Sequence, residues 1–437
     1  MYRINKRALS VLVLVLIAIL GMLFYIGRFL IFGGEWATSR LNPTVQSRGM
    51  ITDRNGVELA GVTDGKRTFA EDANVRRATL HAVGDREGNI GIGALRVYAP
   101  NMAGYNFIAG LYSRTGAGNT VALSIDSNLN VEAMRALDGR KGTVIVSNYL
   151  TGEVLCMFSS PTFDPIYPPH IDTLDDEEGV YLNRAIQAAY IPGSIFKLVT
   201  AAAAIETFDD VYRRTFVCTG AIHLGEDTVT CPSVHGDIDI VRGMRVSCNI
   251  VFCELALDLG ADILSDYTAR YDLSGRTKVG GIQTMSGNFD KAEPNTADLA
   301  WSGIGQYNNM VNPATMLRFV SAIANDGNAV ELQLRKKSTL FSFLGSRSSR
   351  LMSAELARDL GDMIEIQNRD NFPGLLIHAK TGTAQVGGDR LPHAWYVGYI
   401  TNPGYPLAFV VIVENSGTGS SIAAPIANRV LQAAIKN

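Results

Sequence analysis

Residues 190–206 read YIPGSIFKLVTAAAAIE, and the reading of the stretch turns on Lys197. From Ile195 to Ile205 every position is apolar except Lys197 and Thr200, so a helix here is apolar nearly all round and belongs in a core. Lysine rarely accepts full burial without a partner. Pro192 and Gly193 punctuate the entry, and Ser194 stands where an N-cap or first-turn residue stands. Ser194 and Lys197 are three residues apart and share a helix face. A serine in that place can simply cap orphan amides while a lysine one turn on snorkels to water. The chemical alternative is a serine nucleophile with a lysine base. Apolar surroundings disfavour the charged ammonium, and the neutral amine that results can take a hydroxyl proton. The helix N-terminus would offer amides and a positive dipole end to a developing oxyanion.

The rest of the chain has to decide between these readings. Its 437 residues allow one large domain and a smaller one, and 47% hydrophobic content with 8% aromatics is enough for a substantial core. A net charge of −3 argues against a nucleic-acid partner, which such domains meet with a basic excess. No repeat of solenoid period and no long flexible linker is present.

Ala8 to Gly27 is an uncharged, almost wholly apolar run preceded by Arg3, Lys6 and Arg7. It is long enough to span a bilayer, and the basic flank places the N-terminus in the cytoplasm and the bulk of the chain outside. The run exceeds the apolar part of a usual secretory signal and no clear A-x-A site follows, so an uncleaved anchor is expected. Five cysteines then face an external compartment. Cys248 and Cys253 lie in the apolar run SCNIVFCELALDLG and read as packing residues. Cys218 and Cys231 bracket a loop with Gly220 and Gly225. A disulfide closing it would be worth roughly 3 kcal/mol, and that bridge is one of two open readings, the other being free thiols. No CxxC pair or HExxH is present and the histidines are scattered, so neither metal nor cofactor is expected.

The expected organisation is a cytoplasmic N-terminus at 1–7, a transmembrane anchor at 8–30, a small extended β-rich pedestal at 31–120 and the main domain at 121–437. In the pedestal, SRGMITDRNGVELAGV signals a hairpin of the I′ type at Asn55–Gly56, and no long amphipathic helix is read. The main domain opens at SIDSNLNVEAMRALDG, a short helix capped by Asp126 or Ser127. A hairpin around Leu150, Thr151 and Gly152 follows, and the strands HAKTGTAQV, AWYVGYIT and LAFVVIVE and the amphipathic helix SIAAPIANRVLQAAIK close the chain, with Asn402, Pro403 and Gly404 turning between the last two strands. Strands at both ends of a domain with a helical middle predict an α/β fold in which one antiparallel sheet is sandwiched between helices.

Ser194 is the sole serine with a lysine three residues on; K-T-G occurs once, at Lys380, Thr381 and Gly382, followed by Thr383; and Ser-x-Asn occurs at Ser247–Asn249 and Ser286–Asn288, the first at the head of a helical run. In this order SIFK, SCN and KTGT resemble the motif set of the serine penicillin-interacting enzymes. RGMITDRNG, SIDSNLN, TGEVLCMFSSPTFDP, YLNRA, HGDI and GIGQYNNMVNPATM extend the resemblance over nearly the whole chain, to the monofunctional class B penicillin-binding proteins. The segment between anchor and residue 120 is short for that family, and nothing resembles a glycosyltransferase domain.

The resemblance implies a penicillin-binding transpeptidase or serine β-lactamase-like fold and a membrane-anchored peptidoglycan D,D-transpeptidase. Ser194 would be the nucleophile and Lys197 its base. Ser247 would relay a proton to the departing D-alanine, Asn249 would bind the substrate amide, and Lys380 would set the electrostatics around Ser247. Thr381, Gly382 and Thr383 would bind the stem peptide as an added edge strand, with the amides of Ser194 and Thr383 as oxyanion hole. β-Lactams would be covalent inhibitors, and a membrane glycan polymerase would supply the strands. The rivals are a D,D-carboxypeptidase, a β-lactam sensor and a non-enzymatic scaffold. The basic stretch ELQLRKKSTLFSFLGSRSSR reads as a solvated loop, and His393, Trp395 and Tyr396 as strand residues, of which Trp395 could wall a cleft.

Overall fold

In Leu407–Val413 every residue is apolar and every one is buried, which a strand achieves only when both faces of its sheet are covered. The computed structural model, which describes residues 2–38, 49–103, 105–106, 111–112, 118–169, 179–336, 347–366, 376–402 and 404–436, places this strand inside a six-stranded sheet. Its order is Glu365–Ile366, Ile377–Ala384, His393–Ile400, Leu407–Val413, Gly142–Asn148, Val154–Ser160, with every neighbouring pair antiparallel.

Alternation sorts the side chains into two layers. Phe409, Val411, Val144 and Phe158 meet Ile426, Val430 and Leu431 of the helix Ala424–Lys436 and Leu129 and Ala133 of the helix Ser127–Leu137. On the other face Val410, Ile412, Ile145, Met157 and Trp395 join the core formed with the helices Lys197–Thr207, Asn249–Arg270 and Pro313–Ala324. At about 1.5–3 kcal/mol per fully buried aliphatic or aromatic side chain, this two-sided burial fixes the register, because a one-residue slip would exchange the two layers. The sandwich therefore has the architecture read from the sequence. Asp126 is the cap of Ser127–Leu137, accepting the amides of Asn128 and Leu129.

At the N-terminal end, the helix Tyr2–Thr38 contains one segment, Lys6–Gly27, apolar enough to cross a membrane, with mean hydropathy 2.9. At ~1.5 Å rise per residue it matches a hydrocarbon core of about 30 Å. Beyond it, a four-stranded sheet runs in the order Lys66–Phe69, Glu58–Thr63, Met50–Thr52, Thr120–Ala122. Two readings of this region need correction. The hairpin between Met50–Thr52 and Glu58–Thr63 exists, but its turn is not of the I′ type, in which both central residues need positive φ. Gly56 alone has it, at 88°, and its amide closes on the Asp53 carbonyl at 3.2 Å, as in a type I turn followed by a left-handed glycine. The same region, read as free of a long amphipathic helix, also carries a helix, Ala73–Val83, capped by Asp72. Its pattern is masked because Arg76 and His81 face other elements instead of water. Arg76 forks onto Asp164 at 2.6 and 2.8 Å, and the His81 ring bonds the Val180 carbonyl at 2.8 Å.

All five cysteines are free thiols, so the Cys218–Cys231 disulfide is not formed. Within the basic stretch, Lys336 bonds the Arg54 carbonyl and Arg350 the Asp326 and Met352 carbonyls; Lys337 lies outside the described residues, as does Pro403 of the turn before Leu407.

A buried carboxylate joins the N-terminal sheet to the helix Ser127–Leu137, alongside the Arg76–Asp164 and His81–Val180 contacts. Asp53, 1% exposed, accepts the amides of Asn55 and Val57 at 2.7 and 2.9 Å and both the amide and hydroxyl of Ser127 at 3.1 and 2.8 Å. Asp53→Ala leaves buried donors unpaired and is expected to lower unfolding stability by about 2–4 kcal/mol, read as a shift in urea midpoint of the full-length protein in detergent. A loss of less than about 1 kcal/mol would count against Asp53 as a tie.

Candidate active site

Between Pro192 and Ala204 every residue is buried except Ser194. The 3₁₀ turn Gly193–Phe196 carries Ser194 and runs straight into the helix Lys197–Thr207. Gly193 has φ 57°, and a Cβ on it would lie 2.7 Å from the Thr383 carbonyl oxygen. Gly382 is equally confined: a Cβ there would meet the Pro192 carbonyl at 2.9 Å and the Trp395 Cβ at 3.0 Å. These close approaches lay the serine turn directly against the KTGT strand, as the amide of Gly193 bonds the Gly305 carbonyl at 2.8 Å on its other side.

Lys197 is fully buried, yet it is not an orphan. Its Nζ donates to the Ser247 carbonyl at 2.7 Å and to Asn249 Oδ1 at 2.8 Å, and lies 3.2 Å from Ser247 Oγ. The Phe252 ring stands 5.7 Å away. Burial lowers Lys197 from the ordinary lysine value to about 8, against a smaller opposing pull from Cys253, Cys231 and Cys248. Lys380 Nζ donates to Ser247 Oγ at 2.8 Å and to the Thr381 carbonyl at 3.0 Å. It too is held well below its ordinary value, first by burial and then by the charge of Lys197. Ser247 thus sits between two amines. It adopts φ 57°, a conformation that costs a non-glycine residue of order 1–3 kcal/mol, and Cys248 then caps the helix Asn249–Arg270.

Of the predicted residues, Lys197, Ser247, Asn249 and Lys380 meet in one hydrogen-bonded group, while Ser194 lies one turn before Lys197 in the 3₁₀ turn that packs against the KTGT strand at Gly382 and Thr383. Ser286–Asn288 does not join them, since Asn288 pairs with Met310 in a loop. The KTGT strand borders the short strand Glu365–Ile366, whose pairing ends at His378. Past Ala379 its outer main-chain edge has no strand partner among the described residues.

Other positioning groups were not picked out in the sequence. Gln306 Nε2 donates to the Thr383 carbonyl at 3.4 Å. Glu414 Oε1 accepts from Tyr190 Oη and from Arg184 Nε, both at 2.7 Å, bracing the chain just before Ser194. GIGQ and YLNRA marked two of these segments, but Glu414 ends an apolar strand and gave no signal. Trp395, considered as a cleft wall, is instead fully buried, and its indole N–H bonds the Ile191 carbonyl at 2.9 Å.

Residues 142–432 match the profile of the penicillin binding protein transpeptidase domain. The chain is 28% identical over 333 residues to the peptidoglycan D,D-transpeptidase PbpA of Mycobacterium tuberculosis, covering 68% of this chain and 67% of that protein. It is 26% identical over 360 residues to the peptidoglycan D,D-transpeptidase MrdA of Escherichia coli, covering 70% and 56%. Among solved structures, the imipenem acyl-enzyme complex of penicillin-binding protein A from M. tuberculosis superposes with TM-score 0.75 at 24% identity, over 90% of this chain and 99% of that one. PBP2 of Pseudomonas aeruginosa does so with TM-score 0.74 at 22% identity, over 89% and 96%. With the profile spanning most of the chain and the fold shared nearly end to end, the chain belongs to the penicillin-binding protein transpeptidase family.

Proposed function

We propose that this chain is a membrane-anchored peptidoglycan D,D-transpeptidase that cross-links stem peptides through an acyl-enzyme at Ser194 and is blocked covalently there by β-lactams. The observation that carries the reading is the buried Lys197 amine, held at about 8 and bonded to both Ser247 and Asn249. A neutral amine has two protons, and the two short bonds to the Ser247 carbonyl and Asn249 Oδ1 use them. Its lone pair is then left to take a proton from a hydroxyl.

In this reading Ser194 Oγ attacks the penultimate D-alanine carbonyl as Lys197 takes its proton. The amides of Ser194 and Thr383 bind the oxyanion. Collapse of the tetrahedral species breaks the D-Ala–D-Ala amide, and Ser247, bonded to Lys380 and beside Lys197, passes a proton to the leaving amine. Asn249 holds the substrate amide, and Thr381, Gly382 and Thr383 align the peptide along the open strand edge, where main-chain bonds give affinity without a demand on side chains. An acceptor amine then replaces the leaving group. The helix containing Lys6–Gly27 holds the enzyme in the membrane with its N-terminus inside, the pedestal at 31–120 lifts the domain at 121–437 off the surface, and a separate membrane polymerase supplies glycan strands. Co-purification of that polymerase with full-length but not anchor-deleted protein supports the partnership, and equal recovery counts against it.

Incubation with a defined uncross-linked glycan strand separates the activities. Cross-linked dimers are the expected product, and release of D-alanine without dimers would establish a carboxypeptidase.

A fluorescent penicillin is expected to label the protein stoichiometrically and for many minutes, with Ser194→Ala abolishing the label and Ser286→Ala leaving it. Rapid release of opened penicillin would mean a hydrolase.

Lys197→Arg keeps a cation in place but supplies no neutral amine at accessible pH; acylation is expected to fall about 10²–10⁴-fold while the thermal unfolding midpoint holds. In the wild type the base works only deprotonated, so the acylation rate should rise about tenfold per pH unit below its pKa and level off above about 8. A rate that falls with rising pH across this range would remove Lys197 from the role of base.

A further inference from the structure

The matched transpeptidase profile begins at residue 142, yet a series of hydrogen bonds reaches the serine turn from well before it. The series starts at His81, on the helix Ala73–Val83. We propose that His81 is a positioning residue for Ser194: it anchors the segment from Val180 to Asn183, and through Arg184, Glu414 and Tyr190 that anchor sets where the serine stands. The inference rests on the reading of Ser194 as the nucleophile.

The anchor consists of two bonds made by one residue. The His81 ring, 2% exposed, holds the Val180 carbonyl through Nε2 at 2.8 Å, and the His81 carbonyl accepts from Asn183 Nδ2 at 3.2 Å. Burial pushes the ring down to about 4, so it is neutral at physiological pH. A carbonyl can only accept, so Nε2 carries the ring proton and donates it. Asn183 is fully buried, and its side chain works in both directions. While Nδ2 holds His81, Oδ1 accepts the Ala185 amide at 3.2 Å and caps the short helix Arg184–Gln187. The Asn183 amide itself donates to Gln187 Oε1 at 3.0 Å. A buried polar group that loses its partner finds no water to replace it, so Asn183 follows His81.

From Asn183 the constraint passes along the chain. Arg184, the next residue, donates its amide to Ser159 Oγ at 3.0 Å and its Nε to Glu414 Oε1 at 2.7 Å. Tyr190 Oη donates to that same carboxylate oxygen, also at 2.7 Å. A displaced Arg184 therefore pulls on the one atom that orients Tyr190. Between the two, Asn312 Nδ2 holds the Ile186 and Ala188 carbonyls at 3.0 and 2.7 Å. Tyr190 pairs with Val311 through both its amide and its carbonyl, and its ring meets Trp395 edge-on with centroids 6.1 Å apart. The Trp395 indole in turn holds the Ile191 carbonyl. Ile191 and Pro192 then lead into the turn, where Gly193 leaves no slack against Thr383. A closely packed interior transmits a displacement of this kind instead of absorbing it.

The rival account is that Asn312 and Val311 fix the turn alone and the helix Ala73–Val83 only covers the sheet. The two accounts differ in what a change at His81 does to the rate of acylation.

The test uses the full-length protein in detergent and follows acylation by benzylpenicillin as a function of its concentration, which separates the saturating rate constant from the dissociation constant of the non-covalent complex. His81→Leu removes the donor at similar volume. The saturating rate constant is expected to fall about tenfold, the scale of a sub-ångström misplacement, with the dissociation constant unchanged. His81→Gln, whose amide reaches as far as Nε2, should recover most of the rate. Tyr190→Phe should also slow acylation, and the double variant should lose less than the product of the two single effects, because both act through one turn. Thr162→Val breaks the 2.7 Å bond from Thr162 Oγ1 to the Arg77 carbonyl of the same helix; it should cost some stability and leave the rate alone. His81→Asn, too short to reach Val180, takes the place of the leucine variant if that does not fold. An unchanged saturating rate in folded His81→Leu overturns the proposal, as does a loss confined to the dissociation constant, a loss matched by Thr162→Val, or a strictly multiplicative double variant. Wild-type protein that no penicillin labels removes the proposed function instead. The anchor is then read from amide hydrogen exchange over residues 185–196, which should quicken in His81→Leu but not in Thr162→Val; equal protection in all three proteins ends it.

Discussion

The candidate site depends on one constraint: a lysine amine fully buried in the core. Lys197 is buried by Phe252 and the apolar run that follows it, and its amine is compensated by the Ser247 carbonyl, the Ser247 hydroxyl oxygen and the Asn249 side chain. Removing these acceptors strands a buried amine, so the helix Lys197–Thr207 and the SCN segment are obliged to meet. The left-handed conformation of Ser247 is one consequence, since it turns the carbonyl toward Lys197 while leaving the hydroxyl for Lys380.

That obligation explains why structure and chemistry coincide here. Burial of the lysine lowers its proton affinity, and the same strand that supplies Lys380 presents, past Ala379, an edge with no strand partner among the described residues. Lys197 is lowered by burial, and Lys380 by burial and by the charge of Lys197, which makes an environment suited to taking a proton from a hydroxyl.

The sequence made much of this legible. Amphipathic and all-apolar strands gave the sandwich, because burial on both faces leaves a continuous apolar run such as LAFVVIV. The site was legible because a lysine inside YIPGSIFKLVTAAAAIE contradicts its surroundings. What escaped reading did so for physical reasons. The helix Ala73–Val83 spends Arg76 and His81 on other elements, so its polar positions look solvated when they are not. The turn at Asn55–Gly56 is set by the Asp53 carboxylate reaching two amides, a contact that dipeptide statistics do not contain. Glu414 meets Arg184 and Tyr190 across more than two hundred residues. Cys218 and Cys231 invited a two-residue reading because sequence spacing pairs them; the arrival of His235 beside both depends on strand pairing.

The contact between the serine turn and the KTGT strand is made by main chain, with Gly193 and Gly382 leaving no room for a side chain against Thr383 and Pro192. A side chain at either glycine would therefore collide at the joint. A change there moves backbone, and under the proposed function it would disturb turnover of cell-wall peptide and capture of antibiotic alike, because both would present a carbonyl to Ser194.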